Sequence, residues 1–363
     1  MKPKLLIIDR NQFGYHSDTY YYCKYLRDDF CVSYLCFDED KNPLTLDRVT
    51  QVYVKQKKRL LLKWYLFFSA AYGLIKKENF DFVHVNYFKG CALLHLFVPN
   101  RRMMVDVRTA SVLTQPWKRV LFNLLLKMEV RLFYNIGVIS AGLARRLSLP
   151  PRHIITPLGS DIFSRTVKPQ NALKFLYVGT FYNRNLHKTI LGFHKFYRIY
   201  SQRIKTSYTI VGDGPSNELK KLKELVRNLG ISDQVHFTGW IPQDKIQPFF
   251  DSHNVGISYI PITAYYNFQP PTKTYEYLLS GMPVIATNTH ENGIVVNADN
   301  GVLIQDTPDA VFEGMQSIYS KLGRFDSRKI RSQASKYYTW ENIVSSLSSH
   351  YKKLVAHNIK TGK

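Results

Sequence analysis

Short apolar runs alternate with longer amphipathic stretches along the whole chain. Continuous or alternating apolar runs mark buried strands, and apolar residues recurring three and four apart mark helices. In the first half, Leu5–Ile8, Val32–Cys36, Phe82–Val85, Met104–Val107, Gly137–Ile139 and Ile154–Thr156 predict strands, with helices near 18–28, 60–76, 117–134 and 141–147. A basic stretch without periodicity follows, from Ser164 to Asn171. The alternation then restarts with strands Phe175–Val178, Tyr208–Val211, Val235–Phe237, Val255–Tyr259, Val284–Ala286 and Val302–Ile304. Helices are predicted between them near 186–200, 216–229, 243–251, 272–280 and 308–321, and the tail at about 340–356 reads as a last helix.

Strands regularly separated by helices predict an α/β chain with parallel sheets and helical crossovers. The expected organisation is a first Rossmann-like domain over 1–164, a linker at 165–171, a second Rossmann-like domain over 172–339, and a helical segment at 340–363 placed to pack back on the first domain. Ligands of open parallel sheets sit at the carboxyl ends of the strands. Two such doubly wound domains imply a central cleft which both face, with the chemistry in the loops that follow strands.

The chain's 363 residues suit two domains better than one. Apolar residues at 45% and charged residues at 21% exclude disordered and fibrous classes. Fifty Lys and Arg against twenty-seven Asp and Glu give a net charge of +23, which points to an anionic partner: nucleic acid, an anionic membrane surface or a phosphorylated substrate. The cysteines Cys23, Cys31, Cys36 and Cys91 form no CxxC pair and read as thiols of a reducing compartment. The N-terminal apolar run ends at Asp9, too short for a signal peptide, so a cytoplasmic location is expected.

The sharpest motif runs from Gln269 to Ala286. It reads as loop, short helix and strand: two prolines hold the loop extended, Thr272 is the candidate N-cap, Gly281 can take the left-handed C′ position, and Pro283 stops the helix. The amino end of a helix is a ready phosphate site, to which Lys273 adds a full charge. Glu276, one turn on, can accept hydrogen bonds from a ribose diol. The bland alternative is a surface helix with solvated Lys273 and Glu276. Two further loops follow strands: Val178-Gly179-Thr180 through Asn185, where Arg184 offers a planar fork for a diphosphate, and Val211-Gly212-Asp213-Gly214-Pro215. Strand–Gly–helix turns are also common packing devices.

Taken in order, Val211-Gly212-Asp213-Gly214-Pro215, Val235-His236-Phe237-Thr238-Gly239, Lys273-Thr274-Tyr275-Glu276-Tyr277 and Gly281-Met282-Pro283-Val284-Ile285-Ala286 resemble glycosyltransferase family 4 of the GT-B fold. Val138-Ile139-Ser140 and Pro157-Leu158-Gly159-Ser160-Asp161 look like the elements before that family's linker. The resemblance implies a retaining, metal-independent glycosyltransferase without a cofactor, using a UDP- or GDP-sugar as donor. Lys273 and Arg184 would neutralise the diphosphate, and Glu276 would hold the ribose. The loop at Trp240 and Ile241 would hold the base; Gly179, Thr180, Gly212, Pro271, Thr272 and Thr274 complete the implied donor set. The family's first glutamate should stand at 268, where this chain has Phe268, so the donor sugar is left open. Catalysis would come from preorganised cations and N–H groups aimed at the β-phosphate.

On the acceptor side, Gly14 stands in the loop after the first strand, and Arg108 sits about where many members carry a catalytic histidine. Arg108 either binds acceptor phosphate, and so joins the catalytic set, or pairs with Asp106 as a structural salt bridge. His84 alternates within a strand and reads as a core histidine. Val52–Lys77 carries Lys55, Lys57, Lys58, Arg59, Lys63, Lys76 and Lys77 with no acid, around an aromatic apolar run too short to span a bilayer. It reads as an interfacial helix or as a core helix with basic ends; a second basic, apolar stretch from Trp117 to Arg131 favours the membrane. The implied acceptor is a saccharide, lipid-linked at the inner face of a bacterial cell membrane, in cell-surface polysaccharide biosynthesis. A nucleotide-sugar epimerase of the same architecture is the nearest rival. A basic nucleic-acid-binding protein is the rival from another class, but no nucleic-acid-reading module is recognisable and no such partner is expected.

Overall fold

The computed structural model describes residues 2–361, with side chains described through Asn358. The chain divides into two compact units: 1–158 together with 340–363, and 159–339.

The first unit is built on a seven-stranded sheet of β1 (Lys4–Ile8), β2 (Cys31–Asp38), β3 (Val49–Lys55), β4 (Phe82–Asn86), β5 (Met103–Val107), β6 (Asn135–Val138) and β7 (His153–Ile155). All pairs are parallel, in the order β3-β2-β1-β4-β5-β6-β7. Strands β4, β5 and β6 are buried along their whole length, as expected where helices cover both faces. The helix Trp340–Thr361 completes this unit: Trp340 stacks on Tyr21 at 5.3 Å, and Tyr351 is hydrogen-bonded to His84 Nδ1 at 2.5 Å. Burial pushes His84 down to about 4, so it is a neutral core histidine.

The second unit holds a six-stranded parallel sheet of β8 (Ala172–Val178), β9 (Lys205–Val211), β10 (Val235–Gly239), β11 (Val255–Ser258), β12 (Val284–Thr287) and β13 (Gly301–Ile304) in the order β10-β9-β8-β11-β12-β13. In both sheets the strand order reverses beside the first strand of the unit, between β1 and β4 and between β8 and β11. Those reversals open the crevices in which doubly wound sheets bind ligands.

Residues 165–171 do not form a free linker. Lys168 is buried; its ammonium donates to Ser164 Oγ at 2.8 Å, Thr166 Oγ1 at 3.2 Å and the Phe250 carbonyl, and its backbone N–H donates to Ser327 Oγ at 3.1 Å. A buried ammonium must be solvated by protein oxygens, which ties this stretch into the second unit.

Candidate functional site

In the second unit, Gly179 and Gly212 directly follow β8 and β9, and Gly239 ends β10, all at positive φ (140°, 130° and 76°). The loops cross-link backbone to backbone: Gly179 N–H donates to Val211 O at 2.9 Å, Gly212 N–H to Gly239 O at 2.9 Å, and Phe181 N–H to Asp213 O at 2.8 Å. A Cβ on Gly212 would lie 2.0 Å from the Gly179 carbonyl oxygen, so only glycine lets the two loops approach. A Cβ on Gly179 would lie 3.3 Å from Lys273 Nζ. The missing side chain leaves room for the lysine.

Lys273 belongs to the helix Thr272–Leu279, whose amino end follows an extended Pro271 (φ −82°, ψ 119°). No side chain caps it, and Thr272 is the first helical residue rather than the expected N-cap. Among the described residues, the Thr272 and Lys273 N–H groups therefore have no intrahelical acceptor and no capping oxygen, while Thr274 N–H donates to the Pro271 carbonyl at 3.1 Å. At the other end Gly281 takes the left-handed conformation at φ 73°, as the sequence requires. The inward face is pinned: Tyr277 OH accepts from Val178 N–H at 2.9 Å, while Thr274 Oγ1 lies 2.6 Å from Ser258 Oγ and donates to Asn292 Oδ1 at 2.8 Å. Thr274 is fully buried. Its hydroxyl anchors the helix and is engaged by both Ser258 and Asn292.

Three charged groups converge here. Lys273 is buried, with Nζ 3.8 Å from the Tyr177 ring centroid. Burial, with repulsion from Arg184, drives its ammonium far below the ordinary lysine range, against the pull of Glu276. The Glu276 carboxyl is pushed up to about 7 by burial, against the opposing charge of Lys273. The Arg184 guanidinium carbon lies 4.6 Å from the Tyr266 ring centroid, and its Nη1 is enclosed without a hydrogen-bond partner. Two mutually repelling cations, an uncapped helix terminus and one reluctant carboxylate make a site short of negative charge.

The other expected donor residues lie around this centre. Thr180 is exposed; its carbonyl accepts from Tyr177 OH at 2.8 Å. Pro271 and Ile241 are half-buried, and Trp240 is exposed after Gly239. The Phe268 ring lies 5.0 Å from His290, so an aromatic wall stands at the position that lacks a carboxylate. Tyr177, Tyr266 and Asn292 shape the site but carry no motif. The only sequence signal for Tyr177 is its place just before the end of a predicted strand.

In the first unit the two acceptor-side expectations meet occupied surroundings. Gly14 takes φ 86°, and a Cβ there would lie 2.4 Å from Leu44 Cδ1, so Leu44 fills the space beside it. Arg108 is buried; its Nε donates to Asp18 Oδ2 at 2.6 Å, its Nη1 to Thr156 Oγ1 at 3.2 Å and the Thr156 carbonyl, and Asp106 Oδ2 lies 3.6 Å away. Burial alone would lower its pKa, but the charges of Asp18, Tyr22 and Asp106 and the hydrogen bond to Asp18 together outweigh that and raise it. Asp18, ninety positions away, is the stronger partner; these bonds favour the structural reading of Arg108, whose Nη2 is enclosed without a hydrogen-bond partner among the described residues. Sequence reading also missed Asp9, which is fully buried and accepts from His16 Nδ1 at 2.7 Å, Asn86 Nδ2 at 2.9 Å and Asn11 N–H at 3.0 Å. Burial opposes ionisation of Asp9, yet the His16 hydrogen bond and charge hold its carboxyl below the ordinary range. Burial likewise opposes the His16 charge, and Asp9 overrides it and raises the imidazole pKa.

Residues 172–321 match the family described as Glycosyl transferases group 1. Comparison with curated proteins yields no significant match. Among solved structures, sucrose-phosphate synthase from Thermosynechococcus elongatus superposes with a TM-score of 0.81 at 16% identity, over 98% of this chain and 100% of that one. Anabaena HepE in complex with UDP and glucose gives 0.76 at 13% identity, over 97% and 100%. WaaG, a glycosyltransferase involved in lipopolysaccharide biosynthesis, gives 0.68 at 13% identity, over 96% and 99%.

Proposed function

We propose that this chain, a GT-B glycosyltransferase carrying a Glycosyl transferases group 1 domain, moves a sugar from a nucleoside diphosphate donor to a saccharide acceptor with retention and without a metal. The observation that carries the donor reading is the convergence of Lys273 and Arg184, two cations without an acidic ion-pair partner among the described residues, on the uncapped end of the helix Thr272–Leu279. A diphosphate supplies the charge this arrangement lacks. Glu276, one turn along the same helix, would accept hydrogen bonds from the ribose hydroxyls.

Bond cleavage at the anomeric carbon leaves negative charge on the β-phosphate. Lys273, Arg184 and the helix N–H groups stand ready for that charge before it develops, so little reorganisation is needed in the transition state. The bound UDP of Anabaena HepE supports a uridine nucleotide as the first donor to try. The lipopolysaccharide role of WaaG supports a saccharide destined for the bacterial cell surface, and the net charge of +23 supports action at the inner face of an anionic membrane on a lipid-linked acceptor. Among the described residues no helix is long and apolar enough to cross a membrane, so attachment would be peripheral.

Thermal shift with UDP, GDP, ADP and their sugars, on the wild type and on Glu276→Ala and Lys273→Ala, tests the reading. The expected result is one base whose diphosphate raises Tm in the wild type and loses that effect in both variants. No response to any diphosphate, or a response unchanged by both substitutions, overturns it.

A further inference from the structure

The three crossovers β3→β4, β4→β5 and β5→β6 run in one direction across the first sheet. Right-handed connections therefore place the helix Leu60–Glu78, the turn Cys91–Leu96 and the helix Pro116–Val130 on one face. Contacts join them: Trp64 stacks on Phe88 at 5.2 Å, and Lys89 Nζ lies 5.4 Å from the Phe122 ring centroid.

This layer is apolar on both sides. The helix Pro116–Val130 turns Leu126 and Val130 inward, yet its opposite face presents Trp117, Val120, Leu121, Leu124 and Met128, all exposed and spaced as one helical stripe. Val120 is 67% exposed. In Leu60–Glu78 the apolar run is divided: Phe67 and Ala71 are buried, whereas Leu61 is 87% exposed and Tyr65 and Tyr72 also face out. A contiguous exposed apolar surface of this kind marks an interaction site.

The charge around it is predominantly positive, and Glu78 at the end of the first of these helices is paired with Lys4 at 3.3 Å. Val52–Lys77 contains no acid, and Lys57, Lys58 and Arg59 are exposed just before the first helix. Between Pro116 and Arg131 the single acid is Glu129, and its carboxylate is turned to Tyr87 OH at 3.1 Å and Ala92 N–H at 3.0 Å. We propose that the face formed by Leu60–Glu78 and Pro116–Val130 is the membrane-docking surface, lying in the headgroup region of an anionic bilayer with the Trp117–Met128 stripe inserted. A second copy of the chain would bring like charges together around the apolar seam. Anionic headgroups neutralise them, and the acyl boundary covers the stripe.

The inference rests on the peripheral-membrane reading above and fixes which surface performs it. The test is co-sedimentation of the full chain with phosphatidylcholine vesicles containing or lacking phosphatidylglycerol, at low and high salt. Wild type is expected to bind the phosphatidylglycerol vesicles, to bind phosphatidylcholine weakly, and to dissociate as salt rises. Val120→Asp with Leu124→Asp should weaken binding by about tenfold or more, without loss of Tm. Lys118→Glu with Lys127→Glu leaves the apolar stripe intact and should shift dissociation to lower salt. Trp117 emission should move to the blue on binding. Wild type remaining in the supernatant, or both double variants binding as wild type does, overturns the proposal. A dimer that the Asp variant splits, with no vesicle binding, assigns the stripe to a second copy. The UDP thermal shift of the same samples reports the donor site separately, so failure here leaves glycosyl transfer standing.

Discussion

The ammonium of Lys273 rests 3.8 Å from the ring centroid of Tyr177, and no carboxylate lies within ion-pair distance of it among the described residues. A cation buried this way is costly unless something anionic arrives. Cation–π attraction to Tyr177 offsets part of the cost. The unliganded site therefore disfavours the charged lysine, and the proposed diphosphate would relieve that cost.

Replacing Lys273 by Ala should lower kcat/KM by about a hundredfold to a thousandfold, the cost of losing one preorganised charge on a developing anion. Stability of the unliganded protein should not fall in parallel, because a buried unpaired charge is removed with the side chain. Steady-state kinetics and a urea melt on one preparation check both halves. A melt that drops with activity would make Lys273 a packing residue.

Glu276 gives a pH signature. Its folded pKa of about 7 lies above its ordinary value of 4.5, so the folded state holds a proton that the unfolded state releases. The resulting stability is fully present below about pH 4.5 and is lost as pH rises through about 7. Glu276→Gln should flatten that part of the stability curve. Nucleotide affinity should run the opposite way, rising as the carboxylate forms, and in Glu276→Gln that pH dependence should vanish. Isothermal titration with the responding diphosphate across this range reads the sign directly.

Gly212→Ala places a Cβ against the Gly179 carbonyl at a φ of 130°, so strain and overlap coincide. A loss of at least about 2 kcal/mol is expected, together with weakened nucleotide binding as the loop under Lys273 shifts. Denaturant melts with and without nucleotide measure each. A variant as stable as wild type would mean that the two loops separate freely.

Arg108→Met should destabilise the chain by about 3–5 kcal/mol, because Asp18 and Asp106 are left buried with their cation gone. Activity per folded molecule should change little below the melting temperature. A stable but inactive Arg108→Met protein would restore the residue to the acceptor chemistry.

Much of this was legible before any coordinates. Of the thirteen strands among the described residues, the apolar runs marked all but β3, Val49–Lys55, where an edge strand with mostly half-exposed side chains hides inside a basic stretch. The helix Ser327–Tyr338 escaped because its buried positions reduce to Ser327, Ile330 and Ala334 among polar residues. Lys273 and Glu276 were visible because helix punctuation and chemistry fall in one short segment. The pairing of Arg108 with Asp18 and that of His16 with Asp9 were not, since crossovers bring together groups whose spacing carries no period. Thr272 shows the same limit at short range: a threonine ahead of a helix suggests a cap, but only the backbone tells the cap from the first turn.

The helix Trp340–Thr361 lays its Trp340 on Tyr21 and its Tyr351 on His84, both from the opening stretch of the chain. During synthesis, that opening stretch leaves the ribosome and must wait while the whole second unit is made. Until the helix arrives, the aromatic seat around Tyr21, Tyr22 and His84 lacks the cover that Trp340 and Tyr351 give it. Truncation just before Trp340 would therefore damage the half of the protein that was translated first.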